Sequence, residues 1–392
     1  MSVSDQPQGI LCVANWKSDV GYAWWLMESY WAKICEHFSP RYRVHLAYPE
    51  INTVPQVIEA SAITCHLHAF AGNSWADIKR NIVFIKQHNI KVLYLSDYGV
   101  SSMAFAMYRL AGVRYIISHD HTPGLRTVAS GAKKWLKTIK ANFPLMSVDA
   151  GFGATEFVAR RLHETSCLKQ SKCFAIKNGI KVADSAETAE KKAKESAHTA
   201  VANPVIGQFS GRRVIVTAAR ANRYKGIDFA LKVIAELVVN RGYTDIVYLL
   251  CGDGPDLQEF QQQSISLGIE ANCIFAGRVE GVTQVFKHCY LGFQPSQGEV
   301  GYSLSILEYM YEYLPVIVPG NRSVCEATEQ GVTGAIYTDR EVDSAADAIA
   351  LYLDDPALQQ QHGMQAHKKV VSEYTLAATH QSLIKAMEKV IK

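Results

Sequence analysis

The sequence predicts an α/β protein built from two doubly wound, Rossmann-like parallel-sheet domains in tandem. Three observations predict it. The chain has 392 residues, too many for one ordinary core and well suited to two domains. Short apolar runs alternate with longer helix-like segments, the βαβ pattern of a parallel sheet covered on both faces. The alternation breaks at a polar stretch, 182–204, and restarts after it.

The first half opens with "ILCVAN" (10–15), a strand-like run. Gly21 then leads into a helical stretch, "YAWWLMESYWAKICEHF". "YRVHLAY" reads as the second strand. "VLYLSD" (92–97), "RYIISH" (114–119) and "CFAIKNG" (173–179) repeat the pattern, with helical segments between them. The stretch "VADSAETAEKKAKESAHTAVANP" is rich in Ala, Lys and Glu and reads as a solvated helix or linker.

In the second half "RVIVTAA" (213–219) is a strand, and "IDFALKVIAELVVNRG" is a helix closed by Gly242. "DIVYLLCGDGP" runs from a strand into a Gly-rich turn. "LQEFQQQSISLG" is a helix, "CIFAG" a strand, "VTQVFKHC" a short helix and "LGFQPS" a strand. After a loop, Leu307, Met310 and Leu314 carry helical spacing. Pro315 ends that helix and opens the strand "PVIVPG". The tail from "SAADAIALYLDD" is helical. The expected domains are 1–204, including the linker 182–204, and 205–372, followed by a last helix over 373–392. Sheets of this kind bind ligands at the carboxyl ends of their strands, so two facing domains would enclose a cleft.

Composition excludes several classes. Hydrophobic residues make up 48% and charged residues 20%, a globular balance. A net charge of +3 is too mild to argue for nucleic acid. The nine cysteines show no CxxC and no Cys/His cluster at zinc spacing. They read as reduced, which points to the cytoplasm. The polar N-terminus does not read as a signal peptide, and no run reaches the length of a membrane span.

Two clusters carry candidate chemistry. In "PSQGEVGYSLSILEYM" a helix is expected to start near Ser303, where unpaired backbone amides suit a phosphate. Gly301 and Ser303 are small enough for close approach of a ligand. Glu308 lies one turn in, as a ligand acceptor or as a carboxylate complementing the helix dipole. In "TAARANRYKGID" (217–228), Arg220 and Lys225 follow a strand. A guanidinium fork and a point charge there suit a diphosphate, unless both are simply solvated.

Taken in order, these motifs resemble the retaining GT-B glycosyltransferases of the group 1, or family 4, type. The family's G-R-x4-K-G reads "AARANRYKG" here, with Ala219 in place of the usual Gly. "CGDGP" (251–255), "FAG" (275–277), "PSQGE", "GYSLSILEYM", "YLPVI" and "CEATEQGVTG" follow the family order. "IKNGI" (176–180) is similar to its I-P-N-G-V turn. The likeness covers roughly residues 170–340 and implies a GT-B fold whose last helix crosses back to the N-terminal domain.

The resemblance also implies roles. Arg220 and Lys225 would hold the donor's diphosphate, Glu308 the ribose hydroxyls and Glu299 the transferred sugar. Backbone amides around Tyr302, Ser303 and Leu304, beside Gly301, would meet phosphate and sugar. Arg278 and Val279 would lie against the base. In the first domain Gly21 would allow close backbone approach, and His119, or its rival His121, would contact the donor sugar. The family places seven residues between the two glutamates; here "VGYSLSIL" makes eight. Relative to the family pattern, the extra residue shifts the Glu299 carboxylate or bulges the loop.

The implied reaction is retaining transfer of a sugar, from UDP or another nucleotide diphosphate, to a hydroxyl of a saccharide or lipid-linked acceptor. No D-x-D marks a strand end, so no metal and no cofactor are expected. A glycosidase pair of Glu299 and Glu308 would have no use for the Arg220/Lys225 clamp. A non-catalytic sugar-nucleotide binder or partner-stabilising subunit, and a nucleotide-sugar epimerase, are the rival readings. "SGAKKWLKTIKANF" (130–143) sets Lys133, Lys134, Lys137 and Lys140 among Trp135, Leu136 and Ile139. It reads as a half-buried surface helix or as a basic amphipathic contact with the inner membrane face. Trp24, Trp25, Tyr30 and Trp31 read as core rather than as an acceptor groove.

Overall fold

The computed structural model describes residues 7–18, 20, 24–72, 74–182, 204–209 and 211–392. Gly21 and most of the 182–204 stretch lie outside these residues. The chain forms two compact units. The first comprises 1–122, 126–178 and 377–392; the second comprises 123–125 and 179–376.

The first unit is built on a seven-stranded, all-parallel sheet in the order β3-β2-β1-β4-β5-β6-β7. Its strands are β1 (Gln8–Val13), β2 (Tyr42–Tyr48), β3 (Thr64–Leu67), β4 (Ile90–Ser96), β5 (Tyr115–Asp120), β6 (Ala150–Gly153) and β7 (Cys173–Ala175). Its helices are α1 (Trp25–Phe38), α2 (Gln56–Glu59), α3 (Trp75–Gln87), α4 (Met103–Leu110), α5 (Gly131–Asn142) and α6 (Glu156–Glu164). Ser74, Ser102 and Thr155 cap α3, α4 and α6, each hydroxyl accepting from a backbone N–H of the first turn. Tyr30 and Trp31 of α1 are fully buried, as expected of core aromatics, whereas Trp24 and Trp25 are half-buried.

The second unit holds a six-stranded parallel sheet in the order β10-β9-β8-β11-β12-β13. The strands are β8 (Arg213–Ala218), β9 (Ile246–Cys251), β10 (Cys273–Gly277), β11 (Leu291–Phe293), β12 (Val316–Pro319) and β13 (Gly334–Tyr337). The helices are α7 (Ile227–Ala235), α8 (Leu257–Ser266), α9 (Val282–Phe286), α10 (Leu304–Tyr311), α11 (Val342–Asp354) and α12 (Pro356–Glu373). Strand alternation divides the core into two layers. Ile215 of β8 and Ile246, Tyr248 and Leu250 of β9 pack into one layer. Val214 and Val216 of β8 and Val247, Leu249 and Cys251 of β9 pack into the other. A strand buried on both faces reads as a continuous apolar run, which is how both were legible.

The last helix, α13 (Leu376–Val390), returns to the first unit. His380 Nε2 meets the Ser29 hydroxyl of α1 at 3.0 Å, and Thr379 donates to the Lys177 carbonyl at 2.8 Å. Within the second unit, the two ends of its 179–376 segment are hydrogen-bonded to each other. Ile180 N donates to Tyr374 O at 2.9 Å, and Leu376 N donates to Ile180 O at 2.8 Å.

Candidate functional site

Both sheets reverse strand order once. In the second unit the reversal falls between β8 and β11, and a parallel sheet opens a crevice at such a point. The segments leaving the carboxyl ends of these two strands are 219–226 and 294–303. They hold Arg220, Lys225, Glu299, Gly301, Tyr302 and Ser303, so six of the sequence-predicted residues lie at the switch point.

The loop after β8 is braced by the Gly-rich turn after β9. Ala219 N donates to Cys251 O at 3.1 Å, Ala221 N to Asp253 O at 3.0 Å, and Asp256 N to Ala221 O at 3.1 Å. A Cβ on Gly252 would overlap the Ala219 carbonyl oxygen, so the turn needs glycine. Asn222 caps the following turn, its Oδ1 accepting from Lys225 N at 3.1 Å. Gly226 then adopts φ 72°, where a Cβ would overlap the Pro295 carbonyl oxygen. This close approach brings the loop against the segment that carries Glu299.

Lys225 Nζ contacts Glu299 Oε1 at 2.5 Å, and Gln294 Nε2 donates to the same oxygen at 3.3 Å. Glu299 is buried and Lys225 half-buried. Arg220 is exposed, and among the described residues its guanidinium has no hydrogen-bond or ion-pair partner.

Ser303 caps α10, its hydroxyl accepting from Ile306 N at 3.3 Å. The helix therefore starts where the sequence placed it. Its first turn is tied to the end of β8: Ser305 Oγ donates to Ala218 O at 2.8 Å, and the Tyr309 hydroxyl accepts from Ala218 N. Glu308 lies on the turn between these two contacts. Burial raises its carboxyl to about 7, and among the described residues it has no hydrogen-bond or ion-pair partner. Gly301 adopts φ 116°; its N–H donates to Ser323 O at 2.8 Å and its carbonyl accepts from Glu326 N at 3.0 Å. Tyr302 is buried against Tyr374, with ring centres 5.3 Å apart. Leu304, the first residue of α10, is half-buried. Beyond β10, Arg278 is exposed and Val279 packs half-buried on the second core layer.

In the first unit His119 ends β5 and is fully buried. Its Nδ1 is bonded to the Tyr94 hydroxyl, and its ring stacks on Tyr30 with centres 5.6 Å apart. Burial and the neighbouring His121 hold its imidazole well below the usual value, so the ring is neutral. Of the two histidines weighed for donor contact, His121 keeps solvent-accessible surface and His119 has none. His121 N donates to Asp97 Oδ1 at 2.6 Å, and Asp97 adopts φ 60°. Gly21 lies outside the described residues.

The structure also gathers three histidines that the sequence does not signal. His45, His66 and His88 present their ring nitrogens within 4.8 Å of one another. Their sequence separations match no zinc motif; strand register would have been needed to find them. Among the described residues no helix is long and apolar enough to cross a membrane. Helix α5 is not half-buried: residues 131–140 are all exposed, including Trp135, Leu136 and Ile139.

Residues 202–369 match the family model described as glycosyl transferases group 1. A curated relative, the alpha-D-kanosaminyltransferase of Streptomyces kanamyceticus, is 25% identical over 174 residues, which are 44% of this chain and 44% of the relative. The chain thus spans about half the length of the curated relatives it matches. Among solved structures, a glycosyltransferase from Rickettsia africae ESF-5 aligns over 99% of both chains with a TM-score of 0.76 at 14% identity. Anabaena Alr3699/HepE in complex with UDP aligns over 97% of this chain and 100% of that one, with a TM-score of 0.69 at 15% identity. These alignments span both parallel sheets, and the family match spans the unit that carries the switch-point residues. The chain therefore has the GT-B fold, and residues 202–369 of its second unit resemble the group 1 glycosyl transferases.

Proposed function

We propose that this protein moves a sugar from a nucleotide-diphosphate sugar to a hydroxyl of a saccharide or glycolipid acceptor, with retention of configuration and without a metal. The observation that carries this reading is that Arg220 and Lys225 follow β8 while the desolvated Glu308 lies on the helix that follows β11, and that among the described residues neither the Arg220 guanidinium nor the Glu308 carboxyl has a hydrogen-bond or ion-pair partner. Arg220 and Lys225, with the N-terminus of α10, supply positive charge where a diphosphate leaving group develops negative charge. Among the described residues nothing bonds the two Glu308 carboxyl oxygens, which suits them to a pair of ribose hydroxyls. Glu299, held by Lys225 and Gln294, is oriented as an acceptor for hydroxyls of the transferred sugar. UDP in the related Anabaena structure supports a uridine donor as the first to try.

Exposure of α5 supports peripheral membrane contact. Its lysines and its Trp135, Leu136 and Ile139 both face solvent, as a helix lying on an anionic lipid surface requires. A lipid-linked acceptor is consistent with such a contact.

The test is a thermal-shift screen across UDP-, GDP-, ADP- and dTDP-sugars, followed by turnover with saccharide and lipid-linked acceptors and NMR of the product's anomeric configuration. One donor class should raise the melting temperature, and turnover should survive EDTA. In Arg220→Ala/Lys225→Ala, kcat/KM should fall by roughly a hundredfold or more, the scale of losing a preorganised charge stabiliser. Full turnover in the folded double variant refutes the clamp. Conversion of donor without acceptor would instead identify an epimerase, and donor binding without turnover would identify a non-catalytic binder.

A further inference from the structure

The three gathered histidines belong to three different elements of the first unit. His45 lies on β2, His66 on β3, and His88 caps the C-terminus of α3 two residues before β4 begins. In the β2–β3 register His45 faces Thr64 and Ala47 faces His66. Side chains alternate along a strand, so His45 and His66 share one face of the sheet as diagonal neighbours. The turn after α3 delivers His88 to that same face.

The geometry is that of a ligand set. His45 Nδ1 lies 2.9 Å from His66 Nε2. Ring centres are 5.1 Å apart for His45–His66, 4.9 Å for His45–His88 and 4.7 Å for His66–His88. Three imidazoles bound to one zinc ion at ~2.0–2.1 Å, tetrahedrally arranged, would set their ring centres roughly 5 Å apart. Phe84 covers the group, its ring centre 5.0 Å from His66 and 4.4 Å from His88. His45 is buried while His66 and His88 are half-buried, so a fourth position can be filled from solvent.

We infer that His45, His66 and His88 form a binding site for a divalent transition-metal ion of the zinc type, which pins the edge strand β3 and the end of α3 to the sheet. Imidazole nitrogen is a preferred ligand for such ions, and three of them with one open position is an established ligand count. The site serves the fold rather than sugar transfer. His88 stands at the amino end of β4, whereas ligands of these sheets bind at the carboxyl ends. The inference is therefore independent of the proposed reaction.

The experiment uses the full chain stripped with a chelator and dialysed, titrated with Zn2+ alone by calorimetry and followed by thermal shift. One equivalent should bind and raise the melting temperature. His66→Gln and His88→Gln should each weaken binding by at least the ~10–100-fold that loss of even an outer-shell partner costs. Both variants should keep the native circular dichroism and the same donor-induced thermal shift. Should they fail to fold, 15N NMR of the wild-type imidazoles decides: Zn2+ should shift His45, His66 and His88 and leave the other histidines in place. No binding, binding unchanged in the folded variants, or shifts confined to other histidines overturns the site.

Discussion

Glu308 carries the clearest signature of any single side chain in the second unit. Burial raises its carboxyl from an ordinary 4.5 to about 7, with no partner among the described residues to offset the cost. Between those values the folded chain holds a proton that the unfolded chain has released. Stability therefore falls as pH rises through that window, and the cost above pH 7 is up to about 3 kcal/mol. Glu308→Gln should stabilise the ligand-free protein at pH 8 by up to about that amount, and the gain should shrink toward pH 4.5, as urea midpoints would show. The same substitution should weaken donor binding. In the wild type, donor affinity should fall below pH 7 as the carboxylate takes up its proton, and calorimetry across pH 6–8 would show the variant lacking that dependence. A side chain that costs stability when empty and gains affinity when filled is the mark of a binding residue rather than a structural one. For Glu299 the expectation differs. Glu299→Gln removes the charge that holds Lys225, so kcat should fall by roughly tenfold or more while UDP affinity changes little, separating a role toward the sugar from one toward the nucleotide. The motif spacing pointed to both glutamates. The 2.5 Å contact to Lys225 and the isolation of Glu308 could not be read there, because both depend on which loops the sheet order brings together.

At the scale of elements, the start of α10 was legible because a cap is local, whereas the caps Ser74, Ser102 and Thr155 were not read. Ser303 as the start of α10 follows from a small polar residue ahead of an apolar period. The glycine of the Lys225–Gly226 pair has a longer-range purpose: it lets Pro295 approach, which brings Lys225 to Glu299. Gly226→Ala meets both a positive φ and the Pro295 carbonyl. It should cost roughly 1–3 kcal/mol and lower turnover out of proportion to that loss, measured by denaturation and initial rates on the same preparation. Strands β3, β6 and β13 were not anticipated; each is four residues long. Helix α5 was anticipated, but not its exposure. Each lysine near an anionic surface is worth about 1 kcal/mol, so Lys133→Glu/Lys137→Glu should reduce binding to phosphatidylserine vesicles by at least roughly tenfold. Unchanged vesicle sedimentation would remove the membrane reading.

At the scale of the molecule, the chain's end completes its beginning. Thr379, Leu383, Ala386 and Met387 of α13 are buried within the first unit. Truncation after Leu376 should therefore destabilise the first unit. Leu383 and Met387 alone bury side chains worth about 3–6 kcal/mol together. Hydrogen exchange should show protection lost over the first unit's strands β1–β7, with the second unit's β8 and β9 largely unaffected. By itself the sequence determined the α/β class, the two βαβ series, the start of α10 at Ser303 and the order of the switch-point motifs. All of these rest on residue spacing over one or two turns of chain. The tertiary structure decided what those spacings cannot carry: which histidine is buried, which lysine meets which glutamate, and that His45, His66 and His88 share a face. The physical reason is that strand order and register, set by the whole core, choose the neighbours of residues far apart in the chain.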